Sequence, residues 1–173
     1  MNTLGFIGAG NMAGAIINGL LATGFDAQKL LVCDLDDDKL RVFREQGCQT
    51  TTQASEVFSQ ASAVMLAVKP QVLKPVISPL ADIAQQHRPL IMSVVAAIPE
   101  ASINRWLGGG LAIIRTMPNT PALVLSGATG LFANTLVDDT QKAFAESIFS
   151  GIGEFSWVDN EELLHSEIGR AHV

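Results

Sequence analysis

Leu4-Gly5-Phe6-Ile7-Gly8-Ala9-Gly10-Asn11-Met12-Ala13 decides the reading of this chain. A short apolar run, Leu4 to Ile7, stops at Gly8, and a helical pattern opens directly after it, carrying Ile16, Ile17, Leu20 and Leu21. Between the two, Gly8 to Ala13 fits G-x-G-x-x-[GA]. Each small residue has a physical reason. Gly8 lets the chain turn sharply out of the strand. Gly10 lacks the Cβ that would hold a pyrophosphate away from the backbone, and Ala13 is small enough for the helix to lie on the sheet. The free N–H groups and the positive end of the helix then face an anion. The bland alternative is a plain turn that uses glycine for its backbone freedom. The position at the first strand-to-helix turn favours a nucleotide.

Outward from this turn the alternation repeats. Lys29 to Cys33 reads as a strand, Asp37 to Glu45 as a helix, Val64 to Val68 as a strand and Val72 to Gln86 as one long helix. Leu90 to Val95 is a further strand, Glu100 to Trp106 a helix and Ala112 to Arg115 a strand. Strands spaced by helices predict βαβ units. Ala63 to Val68 is apolar without alternation, as a strand covered on both faces should be. The expected fold is α/β, a doubly wound Rossmann-type parallel sheet. Past Arg115 the texture changes. Two prolines exclude Met117-Pro118-Asn119-Thr120-Pro121 from regular helix and from a central strand. A strand over Ala128 to Ala133, a helix over Asp138 to Phe149 and a strand over Glu154 to Val158 then extend the sheet as a mixed edge.

Composition narrows the function classes. The 173 residues suit one domain, and 48% hydrophobic against 16% charged residues can build a real core. The net charge of -6, with scattered Lys and Arg, argues against nucleic acid as a partner. Cys33 and Cys48 form no CxxC motif and no Cys/His cluster, so they read as reduced core residues, and no metal site is expected. No basic leader opens the chain and no apolar run is long enough for a membrane, so the expected location is cytoplasmic.

In open α/β sheets ligands sit at the carboxyl ends of strands. The second strand ends in Asp34, where a carboxylate can accept hydrogen bonds from the adenosine ribose and repel a 2′-phosphate. Leu35-Asp36-Asp37-Asp38 offers no Arg or Ser for that phosphate, and no cation is expected near it. Asp37 and Asp38 read as the solvated first turn of a helix. Three further ends stand out: Ala67-Val68-Lys69-Pro70, Ser93-Val94-Val95-Ala96-Ala97, and Arg115 through Pro121. Arg115 is expected to hold carbonyls of the proline-rich loop. Trp106 and Trp157 read as core residues, His87 as solvated, and His165 receives no role.

Together these stretches resemble the N-terminal domain of the pyrroline-5-carboxylate reductases, over Leu4 to about Ser166. Gly5 to Met12 is shared with many Rossmann enzymes, whereas Met117-Pro118-Asn119-Thr120-Pro121 is far more specific. The resemblance implies an oxidoreductase that reduces 1-pyrroline-5-carboxylate to L-proline with NAD(P)H, the last step of proline biosynthesis. It implies cofactor contacts from Ile7, Gly8, Ala9, Gly10, Asn11 and Met12, from Asp34 and Asp36, from Ala67, Val68, Lys69 and Pro70, and from Val94, Val95 and Ala96. Asn119 should border the nicotinamide. NADH is expected to be preferred, because of Asp34 and Asp36. Relatives usually carry a glycine in the Ser-x-Ala-Ala-Gly stretch. Here it reads Ser93 to Ala97, and the extra bulk is expected to shift the ring pocket. Many relatives have Asn where this chain has Ala54, on the adenine side.

No Ser/His/Asp, Cys/His or metal constellation appears, which agrees with a hydride supplied by the cofactor. Catalytic residues are not assigned. In the family, the groups that hold the substrate carboxylate and handle the ring nitrogen lie in a C-terminal helical domain, which also forms the dimer. That domain is expected to be absent here, so residues 1–166 form the NAD(P)-binding domain of an enzyme that is homo-oligomeric when full-length. The ending Glu167-Ile168-Gly169-Arg170-Ala171-His172-Val173 reads like the translation of a sequencing-library adapter and is expected to be non-native. Two alternatives stay open: another two-domain dehydrogenase of the β-hydroxyacid or prephenate type, and an NAD-sensing module without chemistry.

Overall fold

Strands that are apolar on both faces need a helical layer on each side. The computed structural model of the chain, which describes residues 3–118 and 127–164, has both layers. The strands are β1 (Leu4–Ile7), β2 (Leu30–Cys33), β3 (Gln49–Thr51), β4 (Ala63–Leu66), β5 (Leu90–Ser93), β6 (Ile113–Pro118), β7 (Gly127–Ala133) and β8 (Gly153–Trp157). The helices are α1 (Asn11–Ala22), α2 (Asp37–Glu45), α3 (Ala54–Gln60), α4 (Pro70–Ile77), α5 (Ala81–His87), α6 (Glu100–Trp106) and α7 (Asp139–Phe149). They build one sheet in the order β3-β2-β1-β4-β5-β6-β7-β8. The first six strands are parallel, β7 runs antiparallel to β6, and β8 is parallel to β7. This is the expected doubly wound Rossmann-type sheet with a mixed edge.

Alternate residues sort the core into two layers. Leu4, Phe6, Leu30, Val32, Ala63, Met65, Leu90, Met92 and Ile114 face α1, α2 and α7, which contribute Ile16, Ile17, Leu20, Leu40, Phe43, Ala145, Ile148 and Phe149. Ile7, Leu31, Cys33, Val64, Leu66, Ile91 and Ile113 face α3 to α6, which contribute Val57, Phe58, Leu73, Ile77, Ala84 and Ile103. A slip of one residue in any strand would exchange its two sets. Gly5 lies on the second face. A Cβ there would collide with Val57 Cγ1 and sit 3.1 Å from Ala61 Cβ, so α3 lies this close only because residue 5 has no side chain.

Three segments differ from the sequence reading. The long helix over residues 72–86 is two helices joined by a tight turn at Ser78–Leu80, because Pro79 lacks the N–H that a continuous ladder needs there; Pro75 is accommodated inside the first helix. The polar edge strand β3 and the short helix α3 were not anticipated; Gln49-Thr50-Thr51 has no apolar alternation to mark it. β6 continues past Arg115 through Met117 and Pro118, where the sequence reading ended the strand, but it does so as an edge and not as a central strand. β5 pairs β6 only as far as Arg115, so beyond it only β7 borders the strand, with Met117 opposite Gly130 and Pro118 opposite Thr129. A proline N with no ladder to serve is tolerated there. At the far edge, Asp138 and Gln141 form a reciprocal capping box for α7, at 2.8 and 2.9 Å. Among the described residues no helix is long and apolar enough to cross a membrane, and no group of three His, Cys, Asp or Glu could hold a metal ion. The adapter-like ending and His165 lie outside the described residues.

Candidate functional site

From β1 the chain passes to β2 and β3 on one side and then to β4 on the other, so the carboxyl ends of β1 and β4 flank a crevice. The glycine turn occupies it. The Ile7 carbonyl accepts the Ala67 N–H at 2.8 Å, and the Gly8 N–H donates to the Cys33 carbonyl at 2.8 Å. Gly8 has φ +105°, and a Cβ there would lie 2.5 Å from the Ala67 carbonyl oxygen. Conformation and space both demand glycine. Gly10 is different. Its φ of -85° suits any residue, and a Cβ there meets nothing within 4 Å. The fold itself has no need of glycine at this position; the open space serves whatever approaches the turn. The first helical bond runs from the Gly14 N–H to the Gly10 carbonyl at 2.9 Å, so the N–H groups of Asn11 and Met12 have no partner within the helix. The Met12 side chain packs against the core, so this residue offers the turn only its backbone. Ala13 is fully buried, as a helix lying on the sheet requires.

The end of β2 is tied to this turn. Asp34 Oδ2 accepts the Ala9 N–H at 2.9 Å, and Oδ1 accepts the Asp36 N–H at 2.9 Å. Asp36 caps α2 through the Asp38 N–H at 3.0 Å. Asp37 and Asp38 form the solvated first turn and pair with Arg44 and Arg41 at 2.7 and 2.8 Å. Burial, aided by the Asp34 and Glu56 charges, pushes the Cys33 thiol up to about 11, so it stays protonated and inert at neutral pH. The expectation that no cation stands near this strand end is corrected: Lys39 shares a groove with Ala9, Gly10 and Asn11. It lies one helical turn after the Asp36 cap, which carries position 39 back toward the glycine turn.

At the end of β4, Ala67 and Val68 are half-buried, Lys69 is an exposed cap of α4, and Pro70 takes its first position. After β5, Val94 is half-buried and Ala96 exposed, but the Val95 side chain points into the core at 2% exposure. Only its backbone can serve a ligand. Ala97 is exposed with φ +65°. The departure from the relatives' glycine therefore strains the backbone instead of adding bulk to a pocket. Arg115 pairs with Glu161 at 3.0 Å, not with described loop carbonyls. Asn119 and the rest of the proline-rich loop to Pro121 lie outside the described residues.

Two hollows gather half of these residues. One, about 260 Å³ and mainly apolar, lies between Ile7, Gly8, Asp34, Thr52, Ala54, Val68, Val72 and Val76. The other, an open groove of about 700 Å³, joins Ala9, Gly10 and Asn11 to Lys39 and Lys69. Met12, Asp36, Ala67, Pro70 and Val94 to Ala96 line neither. Thr52, Val72, Val76 and Lys39 were missed by sequence reasoning. Val72 and Val76, four apart on a helix and left partly open, were the available signal.

A family model described as NADP oxidoreductase coenzyme F420-dependent matches residues 3–97. The pyrroline-5-carboxylate reductase of Pseudomonas aeruginosa is 39% identical over 159 residues, covering 91% of this chain and 58% of that protein. That of Haemophilus influenzae is 36% identical over 163 residues, covering 94% and 60%. The solved structure of a pyrroline-5-carboxylate reductase from Coxiella burnetii superposes with a TM-score of 0.95 at 40% identity, covering 98% of this chain and 63% of that one. The chain thus spans roughly three-fifths of the length of these relatives. A prephenate dehydrogenase from A. aeolicus, at 14% identity and a TM-score of 0.73, shares the fold alone. With more than half of its length matched by the family model, the chain belongs to the NADP oxidoreductase coenzyme F420-dependent family.

Proposed function

We propose that this chain is the dinucleotide-binding part of an NAD(P)H-dependent reductase that converts 1-pyrroline-5-carboxylate to L-proline. The carrying observation is the glycine turn at the switch point, open above Gly10 and tied to the Asp34 carboxylate. Similarity to proteins named pyrroline-5-carboxylate reductase over nearly the whole chain supports the substrate. The residues present fit a dinucleotide. The Asn11 and Met12 N–H groups and the helix end suit the pyrophosphate. The apolar slot between Val68, Val72, Val76 and Ala54 suits a flat base. Ala67, Lys69, Pro70, Val94, Val95, Ala96 and Asn119 are the remaining contacts we assign, toward the ribose and nicotinamide.

The bound cofactor supplies the hydride. This chain holds the nucleotide, fixes its ring at the ends of β4 to β6, and shields one face with half-buried Val68 and Val94. The Asp34 and Asp36 carboxylates disfavour a 2′-phosphate, and Lys39 opposes them, so NADH is preferred and NADPH still accepted. The groups that hold the imine lie in the part of the relatives' length that this chain does not span. We also propose a homo-oligomer in the cytoplasm for the full-length enzyme. The two alternatives, another dehydrogenase type and an NAD sensor, make the same turn but act on no pyrroline ring.

The test is paired. The 173-residue chain should bind NADH more tightly than NADPH by fluorescence titration, and should not form proline from pyrroline-5-carboxylate by itself, because most of the orientation effect, up to ~7–11 kcal/mol in favourable cases, is missing. A full-length version should turn over. Absence of nucleotide binding, or a full-length protein that binds nucleotide and reduces no imine, would remove this reading.

A further inference from the structure

We propose that Asp34 is a positioning residue: its carboxylate clamps the glycine turn to the turn between β2 and α2, and so prepares both to receive the nucleotide. This rests on the dinucleotide reading above. The carboxylate bridges two backbone amides, Ala9 N–H to Oδ2 and Asp36 N–H to Oδ1, both at 2.9 Å. Ala9 sits within the glycine turn, and Asp36 caps α2. No Lys or Arg pairs with Asp34 among the described residues. The clamp therefore consists of one anion and two amides.

The chemistry separates this role from that of a charge alone. Repulsion of a 2′-phosphate needs only a negative charge near the strand end, which Asp36 to Asp38 also provide. A bridge between two N–H donors needs two acceptor oxygens on one planar group, held at a fixed separation. Two glycines flank Ala9, and glycine has the most conformational freedom to lose on ordering. Besides Asp34, the turn is tethered by the Gly8 N–H to the Cys33 carbonyl at 2.8 Å and by the first bond of α1 at 2.9 Å. Fixing Ala9 in the free protein means that the nucleotide does not have to order the turn on binding. It also withdraws the Ala9 N–H from the phosphates, which leaves them the amides of Asn11 and Met12.

Asp34→Asn tests the clamp. The substitution removes the charge and keeps the shape, but a carboxamide has only one oxygen, so either Ala9 or Asp36 must face an NH2 group. The clamp predicts that NADH and NADPH affinities of the 173-residue chain fall together, by about tenfold for the lost charge-assisted bond, with their ratio shifted less than about threefold. Amide exchange at Ala9 and Asp36 should quicken while Phe6 and Val32, in the neighbouring strands, stay protected. Unchanged NADH binding with improved NADPH binding, or unchanged exchange at Ala9, overturns the clamp and leaves the dinucleotide reading intact. A wild-type chain that binds neither nucleotide overturns both. Asp34→Ser, with one acceptor on a shorter side chain, gives the same readout if the Asn variant does not fold.

Discussion

Arg115 Nη1 lies 3.0 Å from Glu161 Oε2, the only ion pair that this buried side chain, 4% exposed, makes among the described residues. Arg115 Nε and Nη2 have no hydrogen-bond partner among the described residues. Glu161 Oε2 also accepts the Glu100 N–H at 2.6 Å, so one carboxylate joins β6, the start of α6 and the segment after β8. The two partners are not equivalent. Glu161→Ala leaves a buried cation without its counter-charge and should cost on the order of 3 kcal/mol in urea denaturation. Arg115→Met fills the space without a charge and leaves a carboxylate with some access to water, so it should cost clearly less. Equal costs would show that the charge is not trapped as described.

The two glycines of the turn should fail in different ways. Gly8→Ala meets both a positive φ and the Ala67 carbonyl, and should destabilise the fold by about 2 kcal/mol or more. Gly10→Val meets neither, and should leave stability within about 0.5 kcal/mol. It should nevertheless weaken NADH binding at least about tenfold, or 1.4 kcal/mol, because its side chain fills the space the phosphates need. Chemical denaturation and nucleotide titration of both variants separate the two effects. A destabilised Gly10→Val protein, or one that binds NADH normally, would contradict the assignment.

Ala97 adopts the left-handed conformation at φ +65°, which L-residues enter at a cost. Its side chain is exposed and contributes nothing to the core. Ala97→Gly should therefore stabilise the protein by about 0.5–1 kcal/mol, after allowing for glycine's greater freedom in the unfolded chain. NADH affinity should stay within about twofold of wild type, a difference under 1 kcal/mol. A melting temperature that falls would mean that the Ala97 methyl makes contacts the structure does not show.

Cys33 links stability to alkaline pH. Its folded thiol sits at about 11, above the ordinary value of 9.0, because burial disfavours the thiolate. The unfolded chain thus releases this proton first. The stabilisation is fully present below pH 9 and is lost as pH rises toward 11. A Cys33→Val variant has no such term. The stability of wild type relative to Cys33→Val should fall by about 2 kcal/mol between pH 8 and 11, measured by urea denaturation at each pH. A constant difference would show that Cys33 titrates normally.

Much of the fold was legible because its signals are local. The limits of β1, α2 and α6 agree with the reading from apolar runs and caps. β3 escaped it because a polar three-residue edge strand has no pattern of its own and exists by pairing with β2. The end of β6 escaped it because a proline's place in a strand depends on whether a neighbour needs its N–H. Of the candidate site, Gly8, Gly10 and Asp34 were singled out by their places in the glycine turn and at the end of β2. Lys39 and Thr52 were not, since their nearness to the crevice depends on how α2 and β3 lie against the sheet.

The amino-acid sequence alone determined the α/β class, the glycine turn after β1 and the acid at the end of β2, because strand periodicity, glycine's missing Cβ and a chain turning at a strand end are local properties. Tertiary structure alone decided what those residues touch. It set both oxygens of Asp34 on backbone amides from two separate turns, turned Val95 into the core, and buried Arg115 against Glu161, 46 residues away in the chain. Such choices depend on the register between strands and on the close approach of segments distant in sequence, and neither is encoded in any short window of residues.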